Sequence, residues 1–356
     1  MNRFLQFWLP SSPSGSATAR SAALQLWLIG SLVPLAFIVT SPFRRSDFLS
    51  LWLAGKMAMA GAAGQIYDSA LSGAFASQIG ISAATNFPYP PHALLFFVPF
   101  AAIPLVPAYL AWNLVTAAFF IWAARPHLPD GFPAWLAALT PAALICLDFV
   151  QTGLLFGGLW LLAFNGKWWA VPLMTFKPHL AFLGILSFRS WSAFTKAVLL
   201  GLALLAVPAI IWGPALWLDF YQHTISHAAE MGTRKRWFFA GVSPAIGYGM
   251  IGGIPFAMAG GILLARKVNV FTAATASLLI SPYGFHYDMA VACLGFGAMI
   301  FSYWEEMPTG HRLPMALGFL SPLVALIGVW WVPFILMWGL WAQTKYEAPG
   351  RTGAPA

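Results

Sequence analysis

The chain has 356 residues, 60% of them hydrophobic and only 8% charged, with a mean hydropathy of +0.76. A water-soluble globule needs more charge than that to cover its surface, so the composition excludes a soluble domain and indicates an all-α polytopic membrane protein. The formal charge of +8 is not a nucleic-acid signal here, because excess Lys and Arg in a membrane chain marks cytoplasmic loops and contacts with anionic lipid.

Residues 1–20 are Ser-rich and carry Arg3 and Arg20, which reads as a cytoplasmic tail. The apolar run Ala22 to Thr40 is too long for a signal-peptide core and no small-residue cleavage site follows it, so it is the first span. Between it and the next span lies an external loop, 42–92, around which the chain is organised. Two arginines, Arg44 and Arg45, precede a carboxylate, Asp47. Phe48, Leu51, Trp52, Gly55 and Met59 then fall on one helical face, with Asp47 and Ser50 opposite. A second helix starts at Asp68 and carries Leu71, Phe75 and Ile79 at fourfold spacing. Helices of this kind lie in the headgroup plane, which would hold Asp47 at the water–lipid boundary. Ser46, Asp47 and Asp68 have a plainer reading as helix caps, and capping is the expectation for Asp68. The loop closes on Tyr89-Pro90-Pro91, whose prolines fix φ and make a rigid lead into the second span.

Later spans are expected over 93–124, 133–148, 152–165, 197–213, 242–264, 268–281, 287–304, 313–329 and 330–343, giving about 10–11 transmembrane helices in one membrane domain, 21–343. A second external loop covers 214–241, and 344–356 form a cytoplasmic tail. The stretch Trp168 to Phe188 is interrupted by Lys177-Pro178. Broken backbone at membrane depth survives only inside protein or beside a cavity, so this stretch is expected as a re-entrant pair of half-helices. Of the 18 Lys and Arg, eleven then fall inside and six outside, with Lys177 buried, as the positive-inside rule requires. Asp47, Asp68, Asp148, Asp219, Glu230 and Asp288 fall outside, near span ends. Cys146 and Cys293 lie in apolar runs and build no disulfide framework.

Several of these residues also form a pattern. Asp47-Phe48, Ala54-Gly55, Tyr67-Asp68 and Tyr89-Pro90-Pro91 are followed by Gln151-Thr152-Gly153, Lys177-Pro178, Ser281-Pro282 and His286-Tyr287-Asp288. In that order they resemble glycosyltransferase family 87, over roughly residues 40–290; Trp52 stands where a tyrosine is expected. The resemblance implies a type C glycosyltransferase-like membrane fold, with 21–343 as the catalytic domain and in-plane helices in the first external loop. It also implies transfer of a hexosyl (mannosyl being one case) or pentosyl unit from a polyprenyl-phosphate sugar to a lipid or glycan acceptor. Asp47 would be the general base on the acceptor hydroxyl. A phosphate leaves without needing a proton, so one carboxylate suffices for inversion.

The donor's phosphate and sugar need fixed charge and donors. Candidates are His286, Lys177, Arg44, Arg45, Tyr89, Gln151, Arg234 and Arg236, with Lys235 beside the last two. Each has a second reading: His286 as an interfacial ring bonded to backbone, Lys177 as a snorkelling side chain, Arg234-Lys235-Arg236 as a headgroup anchor, Gln151 as a tie across its turn. In this topology Lys177 enters from the cytoplasmic side and reaches the outer site only through a cavity. No Asp-x-Asp motif is present, so no cofactor or metal is expected; His223, His227 and Glu230 share a helical face but lack a fourth ligand. The partners expected are membrane lipid, the polyprenyl-phosphate-linked donor and a glycolipid or glycan acceptor, at the external or periplasmic face of a plasma membrane. Two rivals remain: a lipid or lipid-sugar translocator without catalytic activity, and a transferase using a diphosphate-linked donor.

Overall fold

Apolar sequence with strong helical length signals folds here into helices and turns; among the described residues there is no strand, only a single bridge between Gly241 and Phe285. The structure, a computed structural model, describes residues 17–40, 47–81, 87–231 and 240–350, with backbone alone at 17–19 and 227–231. The helices are α1 (Ala17–Thr40), α2 (Phe48–Met59), α3 (Ser69–Gln78), α4 (Leu94–Ala101), α5 (Leu105–Ala124), α6 (Pro141–Phe149), α7 (Gly153–Phe164), α8 (Ala170–Leu173), α9 (Pro178–Ala181), α10 (Trp191–Trp212), α11 (Ala215–Met231), α12 (Pro244–Arg266), α13 (Val270–Ile280), α14 (Ala290–Tyr303), α15 (Thr309–Ala325) and α16 (Val332–Gln343).

Among the described residues, four stretches are single helices long and apolar enough to cross a bilayer: Arg20–Thr40, Leu105–His127, Trp191–Trp212 and Pro244–Arg266. Only a minor part of each is buried. In α10 only Ala197 and Pro208 are buried, while Leu199, Leu202, Leu205 and Ile210 point outward, as a lipid-facing helix requires. Over the other stretches expected to cross, the helices are shorter. Helix α7 has 12 residues, ~18 Å of rise against a hydrocarbon core of ~30 Å. The crossing expected over 93–124 is two helices, because Pro104 supplies no amide and itself stands outside the helical region (φ −57°, ψ 152°). The carbonyl that this break frees on Ile103 accepts the Trp52 indole N–H at 3.0 Å. Over 168–188 the expected interruption is present: α8, a 3₁₀ turn at Met174–Phe176, Lys177 in non-helical backbone (φ −125°, ψ 71°), α9, and a 3₁₀ turn at Phe182–Ser187.

The centre of the molecule is α14, in which every residue from Ala290 to Phe301 is buried. Without water to drive apolar surfaces together, membrane helices associate through close packing, which favours small residues at contacts. Gly295 and Gly297 of α14 make room for Phe271 and for the Trp27 ring of α1, and Phe296 fills a notch left by Gly318 and Gly339 on α15 and α16. Trp27 is held there by its indole N–H, which donates to the Leu136 carbonyl at 2.9 Å.

Helix α2 departs from the one-face expectation. Phe48, Leu51 to Gly55, Met57 and Ala58 are buried, while Met59, placed on the apolar face, is 53% exposed. A helix apolar on all sides is an interior helix, and α2 packs into α4, where a Cβ on Gly55 would meet Ala101 and the Phe97 backbone. Of the expected apolar face of α3, Leu71 is exposed, as is Ile79 just after the helix, while Phe75 packs against the core. Asp68 caps the helix as expected, accepting the Ala70 and Leu71 amides at 2.8 and 3.0 Å.

Because Trp27 is pinned by its hydrogen bond, Gly297→Ala forces α1 off α14. It is expected to lower stability by about 1–3 kcal/mol, read as a fall in the melting temperature of the detergent-purified protein. Gly310→Ala, where an added methyl meets nothing within 4 Å, serves as the neutral control.

Candidate active site

Asp47 immediately precedes α2, yet its side chain makes no capping bond to that helix. It is exposed, and it is held from elsewhere. Its amide donates to the Phe149 carbonyl at 3.0 Å, and its Oδ2 accepts the Gln151 Nε2–H at 2.7 Å. Both partners sit in the turn between α6 and α7. That turn passes through Val150 in the left-handed region (φ 51°, ψ 52°), which among the described residues no other non-glycine side chain occupies. A β-branched residue is strained there, and the strain persists only where the surroundings over-determine it. Here Val150 is fully buried, the Gln151 carbonyl accepts the Trp112 indole at 3.2 Å, and a Cβ on Gly153 would run into the Tyr287 carbonyl.

The Gln151 amide has one orientation. Its Oε1 accepts from the Tyr89 hydroxyl at 3.1 Å and from the Thr152 amide at 3.2 Å, so its NH₂ must face the Asp47 carboxylate. The Tyr89 hydroxyl lies 2.9 Å from the Thr152 hydroxyl, which can donate to it in turn. Burial pushes the Tyr89 hydroxyl's pKa up, and Lys177 pulls it the other way without overcoming burial, so the group stays protonated and donates. The Tyr89 carbonyl accepts the Tyr67 hydroxyl at 2.6 Å. Burial, reinforced by the Asp219 carboxylate, raises Tyr67 as well. The Tyr67 ring packs on Phe220 and His223 of α11, at 5.7 and 5.6 Å, and so joins the segment before α3 to α11. His223 is therefore occupied in ring packing; the side chains of His227 and Glu230 lie outside the described residues.

Behind Tyr89 lies Lys177, 4% exposed. Its ammonium sits 2.5 Å from Asp288 Oδ1, 5.2 Å from the Tyr287 ring centre and 6.0 Å from that of Tyr89. The backbone break at Lys177 places this side chain beside Asp288 and the two tyrosine rings. His286, 1% exposed, has its ring 5.2 Å from that of Phe149, and its Nδ1 accepts the Tyr287 amide at 3.0 Å. A neutral ring used that way carries its proton on Nε2. Phe149 thus touches Asp47 through its carbonyl and His286 through its ring, which puts both at one site. Arg44, Arg45, Arg234, Lys235 and Arg236 lie outside the described residues.

Asp47, Gln151, Tyr89, Lys177 and His286 therefore converge, and Asp288, Tyr67, Thr152 and Tyr287 join them. Asp288 could have been found in advance, since a buried lysine requires a carboxylate and this one lies two residues from His286. A model described as glycosyltransferase family 87 matches residues 87–302, more than half of the chain. The chain belongs to glycosyltransferase family 87. The match takes in Tyr89, Gln151, Lys177, His286 and Asp288 and begins after Asp47. No curated protein and no solved structure matches. As a family 87 member the protein is a membrane glycosyltransferase, which acts on a sugar donor and an acceptor.

Gln151→Leu removes the donor that faces Asp47 while preserving bulk. Hydrogen bonds to charged groups contribute about 1.5–3 kcal/mol, so glycosyl transfer is expected to slow by roughly ten- to hundredfold. The readout is turnover by protein whose melting temperature shows it folded.

Proposed function

We propose that this family 87 enzyme transfers a hexosyl unit, mannosyl being one case, or a pentosyl unit from a polyprenyl-phosphate sugar to a lipid or glycan acceptor, with inversion, at the external face of a plasma membrane. The reading is carried by Asp47: an exposed carboxylate, aimed by a buried glutamine instead of being used to cap its own helix. Asp47 takes the proton of the acceptor hydroxyl as that oxygen attacks the anomeric carbon. The bond between the anomeric carbon and the phosphate oxygen breaks, and the lipid phosphate leaves with the electron pair.

The leaving phosphate gains charge and calls for donors placed in advance. His286, through its Nε2–H, and the arginines Arg44, Arg45, Arg234 and Arg236 are assigned to it. Arginine suits phosphate through its two parallel N–H bonds. Tyr89 and Gln151 line the approach between phosphate and base. Membrane lipid carries the donor to the site laterally, and no metal enters the scheme.

A positioned base contributes ~10²- to 10⁴-fold, so Asp47→Asn is expected to lower turnover by that amount while donor binding persists. The experiment incubates the purified protein with several polyprenyl-phosphate and polyprenyl-diphosphate sugars and quantifies released lipid phosphate. Full turnover by Asp47→Asn removes the base assignment. Movement of labelled lipid across vesicles without donor consumption would instead identify a translocator.

A further inference from the structure

The interior of the site holds a pair of full charges that the transfer chemistry does not use. Lys177 and Asp288 have side chains only 5% and 2% exposed, and Lys177 Nζ lies 2.5 Å from Asp288 Oδ1. The other carboxylate oxygen, Oδ2, accepts the Phe285 amide at 3.0 Å and closes the 3₁₀ turn His286–Met289. Lys177 stands at the break between the turn Met174–Phe176 and α9, and its carbonyl accepts the Leu180 and Ala181 amides, both at 3.0 Å. The pair therefore ties two irregular segments, distant in sequence, at the one point where neither has a regular helix to hold it.

What surrounds the pair is the transfer site itself. Lys177 faces the rings of Tyr89 and Tyr287, and Tyr89 orients the Gln151 amide that holds Asp47. The turn closed by Asp288 carries His286, whose amide donates to the Ala240 carbonyl at 3.0 Å. Drawing the ammonium away to bind a donor phosphate would strand a carboxylate in an enclosed, low-dielectric setting, a strongly unfavourable exchange.

We propose that Asp288 is a positioning residue: by neutralising Lys177 it clasps the broken segment 170–187 to the 285–289 turn, and this clasp, not a phosphate contact by Lys177, sets the placement of Tyr89 and His286. The proposal rests on the reading that transfer occurs at the Asp47 site. It withdraws Lys177 from the donor-phosphate contacts expected from the sequence and gives it a neutral, structural pairing.

Removing one member of a buried pair leaves an uncompensated charge, whereas removing both does not, so a double-mutant cycle separates the two roles. Full-length wild type, Lys177→Met, Asp288→Asn and the Lys177→Met/Asp288→Asn double variant are compared for melting temperature and, with the polyprenyl-phosphate sugar that supports wild-type turnover, for kcat and donor KM. Each single variant is expected to melt well below wild type and to lose roughly tenfold or more in kcat, with donor KM within about threefold of wild type; the double variant regains most of both losses. A double variant no more stable than the singles overturns the clasp, including where the singles do not fold at all. A donor KM raised about tenfold or more in both variants that lack Lys177 also overturns it, because it makes the lysine a phosphate contact. The stability arm of the cycle does not involve Asp47, so a fully active Asp47→Asn would remove the base assignment and leave the clasp standing.

Discussion

A hydrogen bond that spans 104 residues of chain, from the Gln151 amide, orients the Asp47 carboxylate, the proposed base. The helix that Asp47 begins offers its own amides, and a carboxylate at that position ordinarily bonds to them. It is kept from doing so because the turn at Phe149–Thr152 takes both its main chain and its side chain. The strained Val150 is part of that arrangement: a left-handed residue turns the chain sharply enough to present a carbonyl at 149 and an amide side chain at 151 to the same neighbour. A chain of further contacts supports this placement. Tyr89 decides which end of the glutamine faces the carboxylate, Tyr67 holds Tyr89, and α11 holds Tyr67.

Electrostatics explain why so much of the site is enclosed while its acid is not. A buried, unmatched carboxylate would protonate and could not serve as a base. Asp47 is exposed, whereas Asp288, its side chain 2% exposed, has a lysine against it. In the proposed reading two aspartates of one site thus carry opposite assignments, one for chemistry and one for architecture, set by exposure and partner.

How much of this was legible beforehand varied with the physical scale of the signal. Membrane residence, helical class and the interruption at Lys177-Pro178 follow from composition and from proline chemistry, which act locally. The cap at Asp68 was legible for the same reason. The break at Pro104 was in plain view as a proline but was masked by the apolar run on either side of it. The burial of α2 was missed because helical spacing reports which residues share a face, not how many neighbours surround the helix; Ala54, Gly55 and Ala58 on the remaining sides were the clue. The roles of Asp288 and Tyr67 depend on contacts with residues 111 and 22 positions away, and no local pattern encodes those pairings. Gln151 was read as either a tie across its turn or a sugar contact. It does tie the turn, and it also reaches Asp47, which the turn's own sequence could not reveal.

The seat of Trp27 carries a consequence for biogenesis. This residue precedes both of its partners in the chain, since its indole hydrogen bond ends on Leu136 and its ring rests in a notch that does not exist until Gly297 has been synthesised. Its helix must therefore wait, with the tryptophan N–H unsatisfied by its final partner, until the polypeptide as far as Gly297 has been translated. The seat of an early helix is finished only by a late one.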